Sequence, residues 1–155
     1  MRFAACRSLS IVFAVACVVL TLSASPASAQ SAGVRAGVSA EPDQFFFGGH
    51  IETPPVADHL HFRPSAEVGV GHELTFVGFN FEFAYKFPTS RPWGLYAGGG
   101  PALNLIYTEA KDHAEGGLNL MVGVEHSQGF FAEFKVGMLD SPDVKLGVGY
   151  VLRRR

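Results

Sequence analysis

The sequence has 155 residues, of which 48% are hydrophobic and 17% are charged, and its formal net charge is −2 at pH 7. This length suits one domain, and the absence of a basic surplus excludes a protein that binds nucleic acid through a positive surface. Both cysteines, Cys6 and Cys17, lie before residue 30, so the rest of the chain has no disulfide to stabilise it.

The first 29 residues have the order of a secretory signal peptide. A short basic start is followed by the apolar run Ser8–Leu22 and by a small-residue cleavage site at residues 27–29. We therefore predict a signal peptide over residues 1–29, export through the inner membrane, and one mature domain over residues 30–155. A retained membrane helix and a lipoprotein acylated at Cys17 are the alternatives.

The mature chain alternates apolar and polar residues with a period of two, which is typical of strands with two different faces. It lacks a run of about 18 apolar residues that would predict a membrane helix. Turn residues separate the strands, so the pattern predicts an all-β, eight-stranded antiparallel up-and-down barrel. Pro64 and Pro101 are expected at bulges or strand ends, since proline lacks a ladder donor. The predicted strands are Val34–Ala40, Gln44–Glu52, His59–Val70, Leu74–Phe87, Trp93–Tyr107, Gly117–Glu125, Phe130–Met138 and Val144–Leu152.

The strand Leu74–Phe87 shows most clearly which face is expected to point inward. Phe79, Phe81 and Phe83 share one face, while Asn80 and Glu82 lie on the other. Across all segments the apolar faces carry almost no charge, and the polar faces are rich in glycine. A narrow eight-stranded lumen must be filled by side chains, so this pattern favours a transmembrane β-barrel with its apolar face toward lipid. Four aromatic residues are predicted at the membrane interfaces: Trp93, Tyr107, Tyr85 and Tyr150.

Charged residues on the polar faces are expected to form an internal network, because buried charges need partners. Such a network would plug the lumen, and a narrow conducting pore is the alternative. The predicted members are Arg35, Arg63, Glu67, Glu82, Lys86, Glu133, Lys135 and Lys145.

A metal site is a further hypothesis for the second hairpin. If the turn at residues 53–58 closes this hairpin symmetrically, His50 faces His61 and Glu52 faces His59. Three imidazoles and one carboxylate could bind zinc or a similar ion. The alternative is a set of ordinary hydrogen-bonded lumen residues, and no cofactor is expected.

Three segments resemble the OmpA/OmpX-type family of small outer-membrane β-barrels over Gly33 to Leu152. They are the opening strand Val34–Val38, the strand WGLYAGGGP at 93–101 and the closing strand VKLGVGY at 144–150. The resemblance implies a monomer in the cell outer membrane, in contact with outer-membrane lipid and lipopolysaccharide and inserted by the barrel assembly machinery. It implies a structural or membrane-integrity role without catalysis.

The sequence leaves two other functions and one further binding property open. A soluble periplasmic lipocalin-like barrel would bind a ligand in an apolar interior. A lipid-modifying barrel enzyme would need an active site, for which only the turn pair His126-Ser127 is available, without an evident orienting acid. An acidic rim could hold a divalent cation that bridges to glycolipid, or it could simply be solvated. The rim residues are Glu41, Asp43, Glu73, Glu109, Asp112, Glu115, Asp140 and Asp143, against Lys111.

Overall fold

The computed structural model of the chain describes residues 30–41, 43–71, 74–108, 112–139 and 141–152. The predicted signal peptide lies outside these residues. The strands are β1 (Ser31–Ala40), β2 (Gln44–Glu52), β3 (Pro55–Ala57), β4 (Leu60–Gly71), β5 (Leu74–Lys86), β6 (Trp93–Thr108), β7 (Asp112–His126), β8 (Phe130–Leu139) and β9 (Val144–Leu152).

Eight of these strands form a closed barrel. β1 pairs with β2, β2 with β4, and each later strand with the next, while β9 pairs back to β1, and all of these pairs are antiparallel. This confirms the predicted eight-stranded up-and-down barrel. We call the two ends of the barrel the Ala40 end and the Ser31 end after the two ends of β1.

Most strand ends lie within one residue of the prediction, but β1 begins at Ser31, three residues before the predicted start, and two elements differ more. β3 lies inside the segment predicted as a turn, and its three residues pair with the start of β4 through a register shift between Pro55 and Ala57. β7 begins at Asp112, five residues before the predicted start, because Asp112–Gly116 pair with β6 up to Tyr107. Both differences come from pairing with a neighbouring strand, and neither segment alternates apolar and polar residues.

We expected Pro64 and Pro101 at bulges or strand ends, but neither proline lies at such a position. The register between β4 and β5 is continuous through Pro64. The pairing of β4 with β2, however, ends at the pair next to it, His50 with Ser65. At Pro101, pairing with β5 is interrupted and resumes in the same register. The missing N–H of each proline therefore removes local pairing on one side without shifting the strands.

The burial pattern shows which face points inward. Glu67 and Glu82 have no exposed side-chain area, whereas Phe45 is 75% exposed and Val148 is 61% exposed. Val68 and Val77, which are paired on the apolar face, differ from this pattern because both are buried. The barrel thus encloses its polar face and exposes its apolar face, opposite to the arrangement of a soluble ligand-binding barrel. Among the described residues, no helix is long and apolar enough to cross a membrane.

Candidate functional site: the charged barrel interior

The interior contains a network of ion pairs drawn from seven of the eight barrel strands. All eight predicted network residues lie in it, together with Glu52 and Glu125. The basic members are Arg35, Arg63, Lys86, Lys135 and Lys145, and the acidic members are Glu52, Glu67, Glu82, Glu125 and Glu133. Five positive and five negative groups leave this set formally neutral, which is the condition under which charges are tolerated in a buried space.

Glu133 is the centre of the network. Its carboxylate accepts hydrogen bonds from Arg35 Nη1 at 2.8 Å, Arg63 Nη1 at 3.3 Å and Tyr96 Oη at 2.7 Å. Lys135 Nζ lies 3.5 Å from the same carboxylate. Side chains from β1, β4, β6 and β8 therefore meet at one group, which joins strands that do not pair with each other.

Two further ion pairs span the lumen. Lys135 Nζ on β8 lies 2.6 Å from Glu82 Oε1 on β5, three strands away around the barrel. Lys145 Nζ on β9 lies 2.9 Å from Glu67 Oε2 on β4, also three strands away. Contacts of this kind cross the interior instead of following the wall, so they occupy the space that a pore would need.

A second group of charges lies toward the Ser31 end. Lys86 Nζ lies 2.6 Å from Glu52 Oε1 and 3.0 Å from Glu125 Oε2. The Lys86 side chain is 26% exposed, so this group is in contact with solvent at the end of the barrel. Arg63 Nε lies 3.7 Å from Glu52 Oε2 and connects this group to the Glu133 centre.

Aromatic rings enclose two of the cations. The Arg63 guanidinium lies 4.9 Å from the Tyr96 ring centroid and 5.8 Å from that of Phe131. Lys145 Nζ lies 4.8 Å from the Phe76 centroid and 5.6 Å from that of Phe46. Such cation–π contacts stabilise a cation that is removed from water. An aromatic pair thus surrounds a basic side chain at two places in the interior.

Glycines on neighbouring strands provide the space for these rings. A Cβ atom added to Gly123 would overlap the Tyr96 phenol, and one added to Gly149 would overlap the Phe131 ring. A Cβ at Gly33 would likewise meet the His50 imidazole. This explains the glycine-rich polar faces: a large ring and a glycine are combined so that a narrow lumen can be filled.

We expect Gly123→Ala to lower the free energy of unfolding by about 1–3 kcal/mol, because the added methyl forces the buried Tyr96 ring out of place. Urea titration of the barrel folded in detergent measures the loss. Gly116→Ala is the matched control, since a Cβ there meets nothing within 4 Å, and we expect a change within about 0.5 kcal/mol. Equal effects of the two substitutions would contradict this role of glycine.

The structure corrects the hairpin register on which the metal hypothesis depended. His50 lies opposite Ser65 and not opposite His61, because β3 lengthens the connection. His61 Nδ1 is 2.9 Å from the Thr53 carbonyl oxygen and 3.7 Å from Glu52 Oε1, while the exposed His59 packs against Tyr85. Within residues 30–152 as far as they are described, no group of three or more potential ligands could hold a metal ion.

His50 contacts Arg63 and Phe131 in the interior. Arg63 Nη2 lies 3.5 Å from His50 Nε2, and since an arginine can only donate, Nε2 acts as the acceptor. The ring also packs edge-on against Phe131, with centroids 5.4 Å apart. His50 is therefore a packing and hydrogen-bonding residue of the lumen.

Aromatic residues on the outer wall concentrate at the Ser31 end. Trp93, Tyr85 and Tyr150 lie there, and Tyr107 lies toward the Ala40 end of β6. Tyr150 packs against Phe130 with centroids 4.9 Å apart, and Trp93 packs against His126 at 4.8 Å. His126 Nδ1 accepts a hydrogen bond from the Gln128 N–H at 3.2 Å, so this imidazole nitrogen is engaged within its own turn.

No protein-family model and no curated protein matches the chain. Solved structures that are similar to it include the N-terminal β-barrel domain of Pseudomonas aeruginosa OprF and Neisserial surface protein A (NspA). The N-terminal β-barrel domain of Pseudomonas aeruginosa OprF has 16% identity and a TM-score of 0.59, over 79% of this chain and 96% of that one. Neisserial surface protein A (NspA) has 13% identity and a TM-score of 0.64, over 81% of this chain and 96% of that one. The likeness establishes the fold and confirms the predicted resemblance to small outer-membrane barrels.

Glu52 was predicted only as a metal ligand, and two further residues of the interior, Glu125 and Tyr96, were not predicted as network residues. Glu125 and Tyr96 lie on the polar faces of their strands, and both are buried in the interior. Glu125 is the last residue of the predicted strand Gly117–Glu125. Tyr96 lies between two glycines on its polar face, and its hydroxyl donates to Glu133. An inward position that carries a polar atom is the sequence signal that both residues share.

Proposed function

We propose that this protein is a monomeric, exported barrel of the cell outer membrane with a structural or membrane-integrity role, a closed lumen and no catalytic activity. One observation carries the proposal: the described barrel exposes an apolar wall and encloses a formally neutral set of ten charged side chains, nine of which are buried. Such a surface is stable when lipid surrounds it, and the paired interior stiffens the barrel across its width.

The proposal includes an orientation and partners. The Ala40 end faces the outside and the Ser31 end faces the periplasm, where the aromatic residues of the wall mark the inner interface. The wall contacts outer-membrane lipid and lipopolysaccharide, and the barrel assembly machinery inserts the chain. The short connections between strands support a structural role over one in adhesion, which is normally carried by long loops.

A narrow pore is the second candidate, and conductance separates it from the closed barrel. In planar bilayers we expect the parent protein to show no open-channel events, because ion pairs and aromatic rings cross the lumen. The variant Tyr96→Ala/Phe131→Ala removes both rings around Arg63 and is expected to conduct. Steady conductance of the parent would contradict the closed lumen, and a conducting variant shows that the assay detects inserted barrels.

A further inference from the structure

A groove of about 620 Å³ lies on the barrel wall at the Ala40 end. Its apolar lining includes a row across four neighbouring strands, since Leu146 is paired with Val38, Val38 with Phe45, and Phe45 with Val70. These four side chains lie on the outer face of the wall and are at least 45% exposed. The volume is within the range of about 300–1,000 Å³ that is typical of small-molecule sites. The groove can therefore hold an extended apolar chain.

Three exposed carboxylates border the groove where its strands begin or end. Glu41 directly follows the last residue of β1, Asp43 directly precedes the first residue of β2, and Asp143 directly precedes the first residue of β9. Asp43 lines the groove itself, and the Asp143 N–H lies 3.4 Å from the Glu41 carbonyl oxygen. The groove thus combines an apolar floor within the wall with an acidic border at the Ala40 end.

The acidic border is not a complete metal site. In the part of the chain that the structure describes, no group of three potential ligands could hold a metal ion. A divalent cation can nevertheless be shared with a ligand, because Mg²⁺ is usually bound by one or two carboxylates together with phosphate oxygens. A phosphate group near this border is therefore repelled when it is bare and attracted when a divalent cation lies between it and the carboxylates.

The orientation of the barrel decides which lipid meets this border. The proposed function places the Ala40 end outside, where the wall contacts lipopolysaccharide, a glycolipid whose phosphates lie next to its acyl chains. Such a lipid offers an apolar chain to the row of the groove and a phosphate at the level of the border.

We propose that the groove binds one acyl chain of lipopolysaccharide and that a divalent cation joins a phosphate of this glycolipid to the Asp43 and Asp143 carboxylates. The inference names a site for a partner of the proposed function and rests on it, because it requires the Ala40 end to lie in the outer leaflet.

Native mass spectrometry of the folded barrel in mild detergent tests the inference, with lipid A, the lipid part of lipopolysaccharide, as the probe. We expect one lipid A to be retained in Mg²⁺ and most of the retention to be lost in EDTA. The double variant Asp43→Asn/Asp143→Asn is expected to reduce retention in Mg²⁺ to the level seen in EDTA. Asp58→Asn, at an exposed position of the Ser31 end, is the matched control and is expected to retain as much lipid A as the parent.

A second pair of variants locates the acyl chain. Ala40→Phe fills the groove and is expected to abolish retention, whereas Ala97→Phe, on the outer wall of β6, is expected to leave it unchanged. Equal retention by Ala40→Phe and the parent overturns the inference, as does equal retention in Mg²⁺ and EDTA or equal retention of phosphatidylglycerol in place of lipid A.

A heated-versus-unheated gel on each sample separates this inference from the proposed function. A folded barrel that retains no lipid A overturns the groove site alone, and a parent that does not fold in detergent overturns the membrane barrel as well.

Discussion

Glu133→Gln is expected to lower the free energy of unfolding by about 3–5 kcal/mol, the effect of removing one partner from a buried ion pair. Glu133 is 4% exposed and holds Arg35, Arg63 and the Tyr96 hydroxyl together. A neutral amide leaves this set with one more positive than negative charge in a space that water does not reach freely. Urea titration of the barrel folded in lipid vesicles measures the change.

Glu125→Gln is the matched control, because it makes the same chemical change in the same interior. Its partner Lys86 is 26% exposed and keeps Glu52 at 2.6 Å, so we expect a loss of about 1 kcal/mol or less. If the two substitutions destabilise equally, Glu133 is not the centre of the network, and the lumen is hydrated along its whole length.

Phe81→Arg is expected to cost about 2–4 kcal/mol in bilayers, the value for arginine at the midplane of a lipid-facing barrel wall. Phe81 lies near the middle of β5, is 46% exposed and points away from the lumen. In water, the same substitution on an exposed side chain would have little effect, so its size reports the surrounding solvent. Equilibrium folding into vesicles measures it.

The outward-facing row on β5 also provides a control for the depth of the substituted residue in the membrane. Phe87 follows β5 at the Ser31 end, on the same row as Phe81, and is 45% exposed. We expect Phe87→Arg to cost about 0–1 kcal/mol, because the penalty falls toward the interface. A similar cost at both positions would contradict a lipid-facing wall, and a stabilising effect at Phe81 would mean that the wall faces water.

The strands and their faces could be predicted from sequence because alternation is local. β2 and β9 begin and end at the predicted residues, and β5 differs by one residue at Phe87. Once the faces were assigned, the inward charges followed from position alone. Each of these inferences needs only the chemistry of residues two positions apart.

The hairpin between β2 and β4 could not be predicted because register depends on the partner strand. A symmetric turn would place His50 opposite His61, but the structure pairs it with Ser65, and the extra residues form β3. The start of β7 at Asp112 has the same cause, since pairing with β6 stabilises a segment without an apolar face. Side-chain contacts across the lumen, such as Lys135 with Glu82, also depend on barrel closure and cannot be predicted from the sequence of one strand.

The central claim is that the apolar wall of this barrel lies in the outer membrane. Its most direct test is separation of outer-membrane, inner-membrane and soluble fractions from cells that make the full chain, followed by gels of heated and unheated samples. The account predicts recovery with the outer membrane, and a band that changes mobility on boiling because the folded barrel resists detergent. Recovery in the soluble fraction with one heat-independent band would contradict it.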